Sequence, residues 1–133
     1  MKLSDIEGIG SAYEKKLSKA GLSSVEELLK KGASDKGRKE IEAATGITHT
    51  LILEWVNRAD LYRIKGVGSQ YSDLLEKAGV DTVVELSKRV ADNLYAKMVE
   101  VNKAKNLVNA MPGLKQVENW IDQAKKLPRV ITH

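Results

Sequence analysis

The sequence predicts an all-α protein of two tandem repeats that are packed as one compact helical domain. Apolar residues recur at intervals of three and four through nearly all 133 residues, which is typical of helices. Alternating apolar and polar runs, the signature of strands, never exceed a few positions. Residues 6–28 recur as residues 64–86, with 12 of the 23 positions identical. Because an internal duplication dictates the architecture, it sets the frame for every other motif.

Each repeat opens with the same helical signals in the same order. A helix is predicted over residues 11–20 in the first repeat and over residues 69–78 in the second. A glycine follows each, where a helix favours a left-handed terminating residue: Gly21 and Gly79. Capping boxes then predict the next helix starts: Ser24-x-x-Glu27 and Thr82-x-x-Glu85. A third capping box, Ser11-x-x-Glu14, predicts that Ser11 caps the first helix.

The remaining helices follow from caps, breakers and apolar stripes. In the first repeat, Ser34 or Asp35 caps a helix that ends at Gly46, and a further stripe runs to about Leu61. In the second repeat, we expect one helix from Asp92 to the Pro112-Gly113 stop. A last helix is expected over residues 114–127, before Pro128.

We place the first repeat at residues 1–61 and the second at residues 62–133, with one shared core. Trp55 and Trp120 lie in similar segments that are offset by 65 residues. Few residues precede the first glycine segment, so it lacks a preceding helix of its own. We therefore expect the helix of residues 114–127 to pack beside that segment and to supply its missing partner, either within the chain or from a second subunit.

Composition narrows the class of protein. The chain has no cysteine, which excludes disulfides and thiolate metal sites. No apolar run approaches the ~20 residues that span a bilayer, so we expect a cytoplasmic protein with no membrane contact. The net charge is +4, and residues 62–133 carry the whole excess, with twelve Lys/Arg against eight Asp/Glu. A basic surface favours nucleic acid or another polyanion, and a solvated helix face is the alternative.

The duplicated glycine segments carry the strongest chemical signal. We call residues 6–11 the first glycine turn and residues 64–69 the second; they read Ile-Glu-Gly-Ile-Gly-Ser and Ile-Lys-Gly-Val-Gly-Ser. The first glycine permits a positive φ, and the second lets a ligand oxygen approach the backbone. The amides of residues 9–11 and 67–69 are predicted to point outward at a helix N-terminus, which favours an anion. Glycines that serve helix packing alone are the alternative.

These turns, together with Leu17-to-Gly21 and Leu75-to-Gly79, resemble helix-hairpin-helix motifs. Over all 133 residues the chain resembles an uncharacterised bacterial family of tandem helix-hairpin-helix proteins. The resemblance implies two hairpins that grip phosphates across a DNA minor groove. DNA-binding hairpins often carry Lys or Arg two residues after the second glycine, where this chain has Ala12 and Gln70. Glycosylases of this superfamily place a lysine there, so the resemblance supplies no nucleophile.

The sequence therefore predicts a non-enzymatic module that binds duplex DNA, independently of base sequence, through amides and flanking lysines. The alternative is a protein-interaction or self-association module, as a monomer or a homodimer. We expect no catalytic residue, cofactor or metal, since His49 and His133 lack partners at ligand spacing. The second turn is the better candidate, because it presents Lys65 where the first presents Glu7. The candidate binding residues are Arg63, Lys65, Gly66, Val67, Gly68, Ser69 and Lys77, with Gly8, Ile9, Gly10, Ser11, Lys15 and Lys19.

Overall fold

The computed structural model describes all 133 residues and contains eight α-helices and no strand. The predicted all-α class is confirmed. None of the helices combines the length and hydropathy that a bilayer crossing requires. A 3₁₀ helix at Leu3–Asp5 comes first, and the α-helices are α1 Ser11–Lys19, α2 Val25–Gly32, α3 Asp35–Thr45, α4 His49–Leu61, α5 Ser69–Lys77, α6 Val83–Ser87, α7 Ala91–Lys105 and α8 Leu114–Lys126.

Most of the predicted helix boundaries are confirmed by hydrogen bonds. The Ser24 hydroxyl accepts from the Glu27 amide at 3.1 Å and so caps α2. The Thr82 hydroxyl accepts from the Glu85 amide at 3.2 Å and caps α6 in the same way. Glycines with positive φ follow α1 and α5, at the predicted Gly21 and Gly79. Local sequence alone therefore determines these ends.

Two predicted helix starts are wrong. The N-cap of α1 is Gly10, so Ser11 is the first helical residue and not the cap. Helix α7 begins at Ala91 with Val90 as its N-cap, two residues earlier than a helix capped by Asp92 would begin.

The predicted end of α7 is also wrong, because the helix ends at Lys105 and not at Pro112-Gly113. Asn106 follows in the left-handed conformation, with φ +50°. The Asn102 side chain accepts from the Val108 amide at 3.0 Å and donates to the Val108 carbonyl at 3.1 Å. These bonds hold the chain after the helix and keep Val108 buried.

The chain divides into two compact units, which we describe separately. Unit 1 comprises Met1–Asp60 and Val130–His133, and unit 2 comprises Leu61–Arg129. The shared core that the sequence suggested stays a prediction.

In unit 1, α3 packs against α1 and α2. The C-terminal residues return to this unit, where the Thr132 amide donates to the Ala33 carbonyl at 2.8 Å. The apolar side chains buried in unit 1 come from every helix and from this C-terminal segment: Leu3, Ile6, Ile9, Leu17, Leu22, Val25, Leu28, Ile41, Ile47, Ile52, Trp55, Val56, Ala59 and Ile131.

In unit 2, α8 packs against α6 and α7, and α5 packs against α7. Its core is one cluster of buried apolar residues: Leu61, Ile64, Val67, Leu74, Leu75, Ala78, Val80, Val83, Leu86, Leu94, Met98, Val101, Val108, Val117, Trp120, Ile121 and Ala124. Most of these residues lie on the helix faces that the apolar stripes predicted, and Ile64, Val67, Val80 and Val108 lie in the segments between helices.

Candidate functional site

The first glycine of each turn is required by the backbone. Gly8 has φ +94° and Gly66 has φ +97°, a region that residues with a Cβ rarely adopt. The Ile9 amide donates to the Ile6 carbonyl at 3.1 Å, which closes a four-residue turn with the glycine in third place. Positive φ at that place is the requirement of a type II turn. Val67 and Ile64 make the same bond at 3.1 Å.

The turn hydrogen bonds overturn part of the amide prediction. Because the Ile9 and Val67 amides already donate within the turn, the prediction that they are unpaired is wrong. Their side chains are also buried, each with 4% exposed, so these two residues anchor the turn to its core.

The second glycine of each turn is not required by anything inside the protein. Gly10 and Gly68 are the N-caps of α1 and α5, with extended backbones at φ −85° and −104° that any residue can adopt. A Cβ at either position would meet no atom within 4 Å. Neither conformation nor packing therefore explains why both copies carry a glycine here.

The amides of these glycines and of the serines that follow them are available. Gly10 and Gly68 contribute no side-chain cap, and their carbonyls accept the first helical bonds, from Glu14 at 3.0 Å and Ser72 at 2.9 Å. The amides of Gly10, Ser11, Gly68 and Ser69 have no acceptor within the chain. Unpaired amides at a helix start carry partial positive charge and favour an anion.

Each glycine turn has a tryptophan beside it, from a helix of the same unit. In unit 1 this is Trp55 of α4, whose ring lies 5.0 Å from that of Tyr13. In unit 2 it is Trp120 of α8, 5.4 Å from Tyr71. Helix α4 therefore takes the place beside the first turn that the sequence assigned to α8, and α8 lies beside the second turn. That a second subunit's α8 packs beside the first turn stays a prediction.

Helix α8 also holds the second turn through hydrogen bonds that the sequence did not reveal. The Gln123 side chain accepts from the Lys65 amide at 2.8 Å and donates to the Lys65 carbonyl at 3.1 Å. Asn119 accepts from the same Gln123 amide group at 2.8 Å and fixes its orientation.

The predicted basic residues are only partly brought together. Lys65 is exposed within the second turn, and Lys15 is exposed one helical turn into α1. Lys19 and Lys77 are the last residues of α1 and α5, about 12 Å from the turns at 1.5 Å per residue. Lys77 is also paired with Glu76 at 3.2 Å.

Arg63 has a structural contact, because its guanidinium donates to the Pro128 carbonyl at 2.7 Å. The two units differ in charge. Unit 1 carries ten basic and ten acidic residues, while unit 2 carries twelve basic and eight acidic residues, or +4. The second turn therefore lies in the more basic unit, and Lys65 is its best-placed cation.

The fold and these two sites define a class: a small all-helical protein with an uncapped glycine turn in each of two units. The chain belongs to the family described as a domain of unknown function, DUF4332. The match to this family covers residues 7–127. No curated protein matches the sequence. No solved structure matches it either.

Proposed function

We propose that the chain is a non-enzymatic nucleic-acid-binding module whose two glycine turns work as helix-hairpin-helix motifs on duplex DNA. In this proposal the amides of Gly10, Ser11, Gly68 and Ser69 donate to backbone phosphates, and exposed lysines add charge. Contacts to phosphates carry no base information, so binding is independent of sequence.

The observation that carries the proposal is the second glycine of each turn. Gly10 and Gly68 stand where any side chain could stand, beside unpaired amides and open space. A group outside the chain that approaches the backbone closely gives a reason for glycine at both positions, because a Cβ would keep it away.

The charge distribution supports the second turn as the stronger of the two sites. Lys65 is exposed beside Gly66, and unit 2 carries the net charge of +4. The first turn presents an exposed Glu7 at the equivalent position, which repels a phosphate. Substitutions in the second turn are therefore expected to weaken binding more.

The proposal is tested by fluorescence anisotropy with a short duplex DNA at two salt concentrations. If about three phosphates are neutralised, affinity falls roughly forty-fold between about 50 and about 200 mM salt. Lys65→Gln is expected to weaken binding and to reduce the slope of log affinity against log salt by about 1. Absence of binding at the lower salt would refute the proposal and favour the protein-interaction module.

Alanine substitutions separate the site from the fold. Gly68→Ala and Gly10→Ala are each expected to change the free energy of unfolding by less than about 1 kcal/mol, since lower chain entropy offsets a poorer cap. Gly68→Ala is nevertheless expected to weaken DNA binding about ten-fold, because its methyl group occupies the approach to the amides.

Gly113→Ala is the matched control. Gly113 is also the N-cap of a helix, α8, with an extended backbone at φ −75° and no atom within 4 Å of a Cβ. It lies outside both glycine turns. Equal DNA affinity in the Gly68→Ala and Gly113→Ala proteins would contradict the proposed site.

A further inference from the structure

Trp55 and Trp120 are almost completely buried, with 1% and 2% exposed. Buried indole N–H groups normally find an acceptor. Neither of these has one in the chain, and neither nitrogen is among the fully enclosed polar atoms without a partner. Each N–H group therefore keeps a small contact with solvent although its ring is packed away.

Both indole nitrogens lie at the glycine turns. An alanine Cβ at Gly8 would lie 3.4 Å from Trp55 Nε1, and one at Gly66 would lie 3.0 Å from Trp120 Nε1. These left-handed glycines are two residues before Gly10 and Gly68, where the unpaired amides begin. An unpaired side-chain donor and unpaired backbone donors thus lie at the same turn in each unit.

We propose that Trp55 and Trp120 are ligand-binding residues whose indole N–H groups donate to the phosphate held by each turn. The inference rests on the proposed function. An indole N–H donates only and carries no charge. It adds a hydrogen bond to an anionic oxygen without displacing counterions, so it strengthens binding equally at low and high salt.

The positions of the two tryptophans support a common role. The rest of the duplicated segment is offset by 58 residues, and the tryptophans are offset by 65. The units nevertheless bring each nitrogen to the same glycine of the turn. Packing of the core explains why an aromatic ring lies at this place. It does not explain the indole N–H group at the turn, which has no acceptor in the chain.

Trp120→Phe and Trp55→Phe test the inference, because each keeps an aromatic ring and removes the donor. We expect Trp120→Phe to weaken duplex binding about ten-fold at both salt concentrations, with an unchanged salt slope. Tyr71→Phe is the matched control. It removes a hydroxyl that donates to the Ala110 carbonyl at 2.9 Å, from the ring packed on Trp120. We expect it to leave the affinity unchanged.

A second measurement uses the unaltered protein and so does not depend on the folding of a variant. The chain has two tryptophans, and its ¹H–¹⁵N spectrum therefore contains two indole signals. Titration with the duplex is expected to move both downfield, and inorganic phosphate is expected to move the Trp120 signal.

The outcomes distinguish this inference from the proposed function. Salt-dependent duplex binding with unmoved indole signals, or with full affinity in Trp120→Phe, overturns the indole role and leaves the amide site standing. Absence of any duplex binding overturns both.

Discussion

At the scale of single residues, Arg38 is a charged side chain buried to 1% exposure in unit 1. Its guanidinium donates to the carbonyls of Gly32 at 2.8 Å and Ala33 at 3.1 Å, which end helix α2. It also donates to the Thr132 carbonyl at 2.7 Å. Arg38 thus donates to carbonyls from two distant parts of the chain, Gly32 at the end of α2 and Thr132 in the C-terminal segment.

Arg38→Met is expected to lower the free energy of unfolding by about 2–4 kcal/mol, because buried carbonyls lose their partners while the apolar stem is kept. Urea denaturation followed by circular dichroism gives the value. Arg38→Lys serves as the control, and its single ammonium group is expected to recover part of the loss. A change below about 1 kcal/mol in Arg38→Met would show that these bonds contribute little.

The sequence predicted residues at the glycine turns better than it predicted their hydrogen bonds. The duplication identified Gly8, Gly10, Gly66 and Gly68, and the positive φ at the first of each pair follows from glycine chemistry. It did not reveal that the Ile9 amide closes the turn, since the same N–H could face solvent in another turn type. The role of Gln123 could not be predicted, because its contact with Lys65 joins residues that are 58 positions apart in the sequence.

At the scale of elements, the start of α2 depends on a charged carboxylate. The Ser23 hydroxyl donates to Glu27 Oε1 at 2.7 Å and the Ser23 amide donates to it at 3.2 Å. These bonds, and a weaker one from Ser24, hold the pKa of Glu27 below its ordinary value of 4.5. Hydrogen bonds to the charged form favour it over the neutral form.

We expect this cap to make stability depend on pH. The pKa of Glu27 is lower in the folded state than in the unfolded state. Its stabilising effect is therefore complete above about pH 4.5 and is lost as the pH falls through the lowered folded pKa. Glu27→Gln is expected to flatten the dependence of the unfolding free energy on pH between about pH 6 and about pH 3.

Glu118→Gln is the control, at an exposed carboxyl with no bonded partner. It should keep the slope of the unfolding free energy against pH. Equal slopes in both variants would contradict the assignment.

Helix boundaries were predictable where a capping motif or a glycine marks the end and not where another side chain holds the chain beyond the helix. Ser24, Thr82, Gly21 and Gly79 act within four residues of their helix ends, so the sequence shows them directly. Helix α7 ends instead before Asn106, which is left-handed, and Asn102 binds the backbone of Val108 just beyond it. The Pro-Gly pair further on is the stronger helix-stop pattern in the sequence.

At the scale of the whole molecule, the duplication predicted the order of helices but not the path of the last residues. Val130–His133 belongs to unit 1, although it follows α8 of unit 2 in sequence. Ile131 is buried there with 4% exposed. Thr132 is held at both backbone groups, by Ala33 at 2.8 Å and by Arg38 at 2.7 Å. No local sequence pattern predicts that Val130–His133 packs in unit 1, because these four residues show neither a helical period nor a turn signal.

Deletion of residues 130–133 is expected to destabilise unit 1 by about 2–4 kcal/mol. The chain then loses the burial of one isoleucine, about 1.5–3 kcal/mol, and the acceptor for Arg38. The two indole signals report the units separately in a urea titration, since Trp55 lies in unit 1 and Trp120 in unit 2. The Trp55 transition should move to a lower urea concentration.

Thr132→Ala is the control. It keeps both backbone bonds and removes a hydroxyl contact of 3.3 Å, so it should shift that transition much less. An unmoved Trp55 transition after the deletion would mean that the C-terminal residues are not needed for the stability of unit 1.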